Sequence, residues 1–234
     1  MRYPGGVRWL IALSLCWTAL AHADASEALL AQVESELARG QRARAEKRLL
    51  SGLRRTHVPT LLVRYAELAV PCDEHVDAAK AAELLKHVDD EVDRRVGLHA
   101  AVAAAALGQR ERGLALLRAS LQRQDPESAR CARQVAALFV RAEALAEATL
   151  ALELANEAMP QDEALRADLA RLWLARGLVD RALPLLAERF ALSTAALPAR
   201  LDLAYALAAD GRADEALALL APAREACDHD TSCA

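Results

Sequence analysis

Six times along the chain the same turn-like position returns at an almost constant interval. Gly40, Glu74, Gly108, Glu143, Gly177 and Gly211 stand at steps of 34, 34, 35, 34 and 34 residues. Five residues after each comes a small side chain: Ala45, Ala79, Gly113, Ala148, Ala182 and Ala216. Nine residues after, Leu49, Leu117, Leu152, Leu186 and Leu220 recur, with Glu83 the one exception. Such a period belongs to stacked helical-repeat arrays, in which no single unit can bury its apolar face alone. It predicts an all-α chain whose elongated surface binds something, and it argues against an enzyme.

The last unit shows the chemistry of one repeat most clearly. Apolar residues recur at three and four through Leu201–Leu207 and again through Ala213–Leu220, so each half is a helix. Gly211 ends the first helix, where a positive φ is needed and glycine has no Cβ to clash. Asp214 falls in the first turn of the second helix and complements its dipole. Ala204 and Ala216 are small where the two antiparallel helices meet, which lets the backbones approach closely. Gly177-Leu178-Val179-Asp180-Arg181-Ala182-Leu183 repeats that turn in kind.

These residues resemble the tetratricopeptide repeat, a 34-residue helix-turn-helix unit. With the turn position as anchor, repeats start near Ser26, Thr60, Arg94, Ala129, Glu163 and Leu197. A small residue expected in the first helix is met by Ala101, Ala136, Ala170 and Ala204, while Val33 and Glu67 depart from it. A favoured aromatic is met by Phe139 and Trp173. The closing proline is met in place by Pro160, with Pro59 and Pro126 slightly displaced. In the second unit Pro71-Cys72-Asp73 replaces the smooth turn, so that repeat is expected to be irregular or longer-looped. The resemblance implies a right-handed superhelical α-solenoid of six antiparallel helix pairs over residues 24–230, followed by a polar tail at 227–234.

The N-terminus reads as a leader. Met1–Arg8 holds two arginines and no acid, Trp9–Leu20 is apolar but for Ser14, Cys16 and Thr18, and Ala21-His22-Ala23 supplies a small-x-small triplet. A secretory signal peptide over residues 1–23 is expected, with Ala25 as the alternative cut. The apolar run falls short of the about 20 residues that span a bilayer, so no stable membrane insertion is expected. Leu15 before Cys16 does not suit a lipid-attachment box. The expected location is periplasmic or secreted.

Of 29 basic and 33 acidic residues only Arg2 and Arg8 lie in the leader, leaving the mature chain at net −6. That charge, with only five mature aromatic residues, argues against nucleic-acid binding. An even set of mature cysteines, Cys72, Cys131, Cys227 and Cys233, permits disulfides in an exported protein. Cys227 and Cys233 form a candidate bridge only where the helix has ended, since six helical residues separate Cα atoms by about 9 Å. A metal site of Cys227, His229 and Cys233 is the competing reading, and its spacing matches no standard zinc pattern. Cys72 and Cys131 fall in different repeats and are expected to be free.

No catalytic constellation is recognisable. There is no Gly-x-Ser-x-Gly, no phosphate-binding glycine loop and no His-Glu-x-x-His. His57, His75, His87, His99 and His229 are scattered and expected at the surface. The acidic stretch Asp89–Asp93 is a solvated connector rather than a metal site. No catalytic residue, cofactor or metal is assigned.

In the tetratricopeptide family the first helix of each pair lines a concave groove. Six of the twenty groove positions carried over to repeats two to five are arginine, namely Arg64, Arg95, Arg130, Arg133, Arg141 and Arg171, and none is acidic. Tyr205 joins them from the sixth repeat. The resemblance thus implies an exported scaffold that binds a protein or peptide, expected to be an acidic segment, in a basic groove. Envelope assembly, secretion or export are the roles it suggests. A non-catalytic accessory subunit, or the remnant of an envelope enzyme system, is the alternative. The groove lacks the asparagines of the carboxylate-clamp type, so a chaperone C-terminus is not the expected ligand. Self-association through the C-terminal helix, with Leu217, Leu219 and Leu220, is a further expectation.

Overall fold

In a computed structural model, residues 25–56, 58–73, 75–88, 93–192 and 197–228 are described, the last six of them by their backbone alone. Residues 1–24 with the expected leader, His57, Glu74, the acidic connector at 89–92, residues 193–196, and the segment with His229 and Cys233 lie outside them. Twelve helices and no strand are found among the described residues. α1 covers 25–38, followed by α2 (Arg42–Leu53), α3 (Pro59–Ala69), α4 (Ala78–Leu85), α5 (Arg94–Ala106) and α6 (Arg110–Ser120). The second half comprises α7 (Pro126–Arg141), α8 (Leu145–Ala158), α9 (Glu163–Ala175), α10 (Val179–Leu192), α11 (Leu197–Ala209) and α12 (Ala213–Asp228). α5 with α6, α7 with α8, α9 with α10 and α11 with α12 form close pairs, and the helices stack in chain order into a right-handed solenoid.

The turns explain the period. Gly40, Gly108, Gly177 and Gly211 have φ between +71° and +81°, and Glu143 adopts φ +57° in the same place. At each, the next residue's N–H returns five residues to a helix carbonyl: Gln109 to Ala104 at 2.8 Å, Ala144 to Phe139 at 2.8 Å, Leu178 to Trp173 at 2.8 Å. This left-handed closure satisfies carbonyls that the helix end would otherwise strand. The helix starts are fixed separately. Asp77, Asp93, Asp125 and Asp162 each accept backbone N–H groups of the helix that follows. Two such N–H bonds, from Lys80 and Ala79, hold the Asp77 carboxyl below its ordinary range. Pro59 and Pro126 sit in the first turns of α3 and α7, where a missing N–H costs nothing.

The periodic residues are the core. Ala45, Leu49, Leu117, Ala148, Leu152, Ala182 and Leu186 are fully or almost fully buried. Burying each leucine contributes roughly 1.5–3 kcal/mol. Gly113 sits 3.4 Å, measured from where a Cβ would lie, from the Ala101 carbonyl oxygen, so α5 and α6 approach closely there. One core runs from Val33 to Leu169 and a second from Ala170 to Ala216, with Trp173 and Leu185 packed against both.

The second repeat departs from this scheme in a definite way. Residues 70–77 separate α3 from α4, whereas three residues join α5 to α6. Ala79 is therefore exposed and the small-residue position passes to Ala81, with Leu85 four residues on, the spacing that Ala45 and Leu49 keep. The exception at Glu83 is thereby explained: the whole helix is displaced by two residues. Val70, Cys72 and Val76 of the long loop are buried and fill the space between helices that pack little against each other.

Two expectations are corrected here. Cys72 and Cys131 are not free: they form a disulfide with Cα atoms 4.5 Å apart across 59 residues of sequence. The long loop turns Cys72 inward, and Cys131 stands in the second turn of α7, so the bridge ties repeat two to repeat four. His99 is not a surface residue either. It lies in α5 at 3% exposure, and its Nδ1 is 2.8 Å from the Val70 carbonyl oxygen and 3.5 Å from Cys72 Sγ.

Candidate functional site

Every groove residue singled out from sequence lies on a first helix: Arg64 on α3, Arg95 on α5, Arg130, Arg133 and Arg141 on α7, Arg171 on α9 and Tyr205 on α11. Three recesses open along this face. One of about 790 Å³ is lined by Leu30, Glu34, Val63, Arg64, Glu67 and Arg95. A second of about 280 Å³ lies among Cys72, Asp73, Arg130 and Arg133. The third, of about 310 Å³, is bordered by Arg133, Ala136, Val140, Asp168 and Arg171. Toward the C-terminal end the face becomes apolar. Leu201 and Tyr205, one helical turn apart on α11, are 48% and 66% exposed. Cys227 belongs to the last turn of α12, and the Cys227–Cys233 bridge lies outside the described residues.

The electrostatics differ from a bare basic groove. Arg64 Nη2 lies 2.8 Å from Glu34 on α1, and its Nη1 donates to Glu67 at 3.1 Å. Arg133 Nε donates to Asp168 at 2.6 Å. Arg171 donates to Asp168 at 3.0 Å and, through Nε and Nη2, to both oxygens of Asp202 at 3.1 and 2.8 Å. Arg189 of α10 adds a bond to Asp202 at 2.6 Å. The hydrogen bonds from Arg171 to Asp202 raise the guanidinium pKa above its ordinary value, against the desolvation that lowers it. A ladder of alternating charge thus crosses α7, α9 and α11.

The remaining arginines are less engaged. Arg130 approaches Asp73 only to 4.0 Å, with both side chains more than half exposed. Arg95 and Arg141 are exposed. Burial pushes the Asp125 carboxyl up, but hydrogen bonds from Ser128 and Glu127 outweigh it and hold the group below its ordinary range, with Arg95 adding the least.

The acids Glu34, Asp168 and Asp202 are what the reading of groove positions missed. Glu34 on α1 reaches Arg64 of the following repeat, whereas Asp168 on α9 and Asp202 on α11 reach back to Arg133 and Arg171 of the preceding one. The signal was nevertheless in the sequence. Arg64 follows Glu34 by 30 residues, and Asp168 and Asp202 follow Arg133 and Arg171 by 35 and 31. In a stack of 34-residue units, side chains about one period apart are spatial neighbours. Opposite charges at that offset therefore predict ion pairs.

No family model matches the chain, and no curated protein sequence does. Solved structures do resemble it. A MamA structure from AMB-1 superposes with a TM-score of 0.51 at 21% identity, over 76% of this chain and 94% of that one. A tetratricopeptide repeat protein from Parabacteroides merdae ATCC 43184 does so with a TM-score of 0.52 at 16% identity, over 84% and 77%. At such identities the likeness speaks to architecture. Taken with the helix pairs and their left-handed turns, it shows that the chain has the tetratricopeptide-repeat fold.

Proposed function

We propose that the protein is an exported interaction scaffold that holds an extended or helical segment of another protein against the face of its first helices. The observation that carries this reading is the composition of that face. Exposed apolar side chains, Val140, Leu201 and Tyr205, lie on the same series of helices as the arginines and the three recesses. Apolar anchors beside orienting charges are what a peptide groove requires. A segment with carboxylates is the partner this surface favours. Arg95, Arg130 and Arg141 offer guanidinium groups outside the ladder, and a charge-assisted bond to each adds orientation as well as affinity.

Export is supported by two independent features. The leader at residues 1–23 has the three parts of a signal peptide in order. The Cys72–Cys131 disulfide belongs to an oxidising compartment. Envelope assembly, secretion or export are the roles such a scaffold would serve. Leu217, two-thirds exposed on α12, offers a second copy an end-on contact.

The test is affinity capture of the mature protein from an envelope extract, with partners identified by mass spectrometry. Capture is repeated with a Leu201→Glu, Tyr205→Glu variant. A partner recovered by the native chain and lost by the variant supports the groove. A partner recovered equally by both places the interaction elsewhere. N-terminal sequencing from the secreting host checks export, with Asp24 as the expected first residue and retained Met1 as the contrary result.

A further inference from the structure

Deep in the α3–α5–α7 junction lie two sulfurs and an imidazole, of which only Cys72 borders the interaction surface. Cys131 is 0% exposed, His99 3% and Cys72 8%. The two sulfurs and a ring nitrogen of His99 lie within 4.8 Å of one another. We propose that this cluster is a redox-gated metal site: once the Cys72–Cys131 bridge is reduced, the two thiolates and His99 bind a zinc-like divalent cation.

The donor set fits, and one ligand-to-ligand distance is already in place. Two thiolates and one imidazole are ligands that zinc prefers, and they leave a fourth position for water. In a tetrahedral zinc site a sulfur and a nitrogen ligand stand about 3.5 Å apart, given the usual bond lengths. Cys72 Sγ and His99 Nδ1 are already 3.5 Å apart.

The other side of the ring supplies a second observation. His99 Nε2 is buried with no hydrogen-bond partner, although Glu127 Oε1 lies 3.4 Å away. With Nδ1–H donating to the Val70 carbonyl, a neutral ring leaves Nε2 as a bare acceptor facing the Glu127 carboxylate. Coordination through Nδ1 moves the ring proton to Nε2, which then donates to Glu127. The Val70 carbonyl gives up its bond in exchange. The outcome is the carboxylate–histidine–metal arrangement that orients a ligating imidazole.

The redox step balances with a dithiol reductant. Its thiolate attacks Cys72 Sγ, which borders the recess beside Arg130, and the Cys131 thiolate leaves. The second thiol of the reductant resolves the mixed disulfide, releasing Cys72 and leaving the reductant as its own disulfide. Two electrons and two protons reach the protein. Metal binding then releases both thiol protons to solvent. With the bridge closed, neither sulfur can act as a thiolate ligand.

Cobalt(II) is the probe, because thiolate coordination in a tetrahedral site gives a near-ultraviolet charge-transfer band and red d–d bands. The full chain carries Cys16→Ser, Cys227→Ser and Cys233→Ser, so that only Cys72 and Cys131 can supply sulfur. The reduced protein is expected to take up one Co²⁺ per chain with these bands, and the disulfide form none. Glu127→Gln should weaken uptake by about tenfold, the usual effect of losing an outer-shell partner. His99→Gln should weaken it further and alter the bands. Should His99→Gln lose its helical circular dichroism, Cys72→Ser takes its place, and uptake with unchanged bands in that variant overturns the site. Absence of sulfur bands in the reduced protein, or equal affinity of His99→Gln and its parent, overturns it as well.

Discussion

Arg171 and Asp202, 31 residues apart in sequence, face each other across α9 and α11 through two parallel hydrogen bonds of 3.1 and 2.8 Å. Asp202 also receives Arg189, so one carboxylate holds two guanidinium groups of the preceding repeat. Replacing Asp202 by alanine is expected to cost about 1–2 kcal/mol, since partly exposed pairs are individually weak and a shared carboxylate serves two of them. Urea denaturation measures it. The gap between native and variant should shrink as salt is added.

The disulfide makes a larger contribution. Closing a 59-residue interval restricts the unfolded chain, and the usual effect of such a bridge is about 2–4 kcal/mol. A Cys72→Ala, Cys131→Ala variant should therefore show a urea midpoint lowered to match, and a reductant should destabilise the native protein but not the variant. Equal midpoints for native and variant under oxidising conditions would show the bridge to be energetically idle.

Left-handed turns give a paired test. Gly177 has φ +73° with no atom within 4 Å of an added Cβ, so Gly177→Val should cost on the order of 1–2 kcal/mol through the backbone alone. Glu143 carries the same conformation, φ +57°, without being glycine. Glu143→Gly is therefore expected to stabilise by about 0.5–1 kcal/mol. Thermal melts of the two variants should move in opposite directions.

Much of the fold was legible in the sequence because the period records turns and core contacts together. The glycine at four of the six turn positions, the small residue five later and the leucine nine later in five of the six report one geometry repeated. What escaped was whatever breaks the period. Cys72 and Cys131 are 59 residues apart, nine short of two 34-residue periods, so the repeat frame keeps them separate. Only the long loop at 70–77, which moves Cys72 off the frame and under α7, brings them together. His99 was misplaced for the same reason, since the buried loop around Val70 is what encloses it. The groove arginines follow from position within the repeat, whereas their acidic partners stand on a neighbouring repeat, about one period away, where no single unit shows them.

Glu83 supplies a pH dependence. Its carboxyl accepts from Lys86 at 2.7 Å and from Arg54, the residue that caps α2, at 3.0 Å, which together lower its pKa to about 2. A depressed pKa means that the stabilisation is fully present above the unfolded carboxyl's value, about 4.3. It is lost as pH falls from there through about 2. Glu83→Gln should flatten the fall of the melting temperature in that window and leave the remainder of the profile in place. An unchanged slope there would mean that the carboxylate does not tie α2 to α4.

The central claim is that partners bind the face of the first helices. It is tested most directly by isothermal titration of the captured partner against two charge-reversed proteins. One carries Arg95→Glu and Arg130→Glu on α5 and α7, outside the stabilising ladder. The other carries Arg112→Glu and Arg118→Glu, two exposed arginines on α6, a second helix. The account predicts that the first pair weakens binding by about tenfold or more, roughly 1.4 kcal/mol, and that the second leaves it unchanged. Circular dichroism should show equal helix content in both. Equal affinity for native protein and the Arg95→Glu, Arg130→Glu variant, or weakening confined to the α6 variant, would contradict the account.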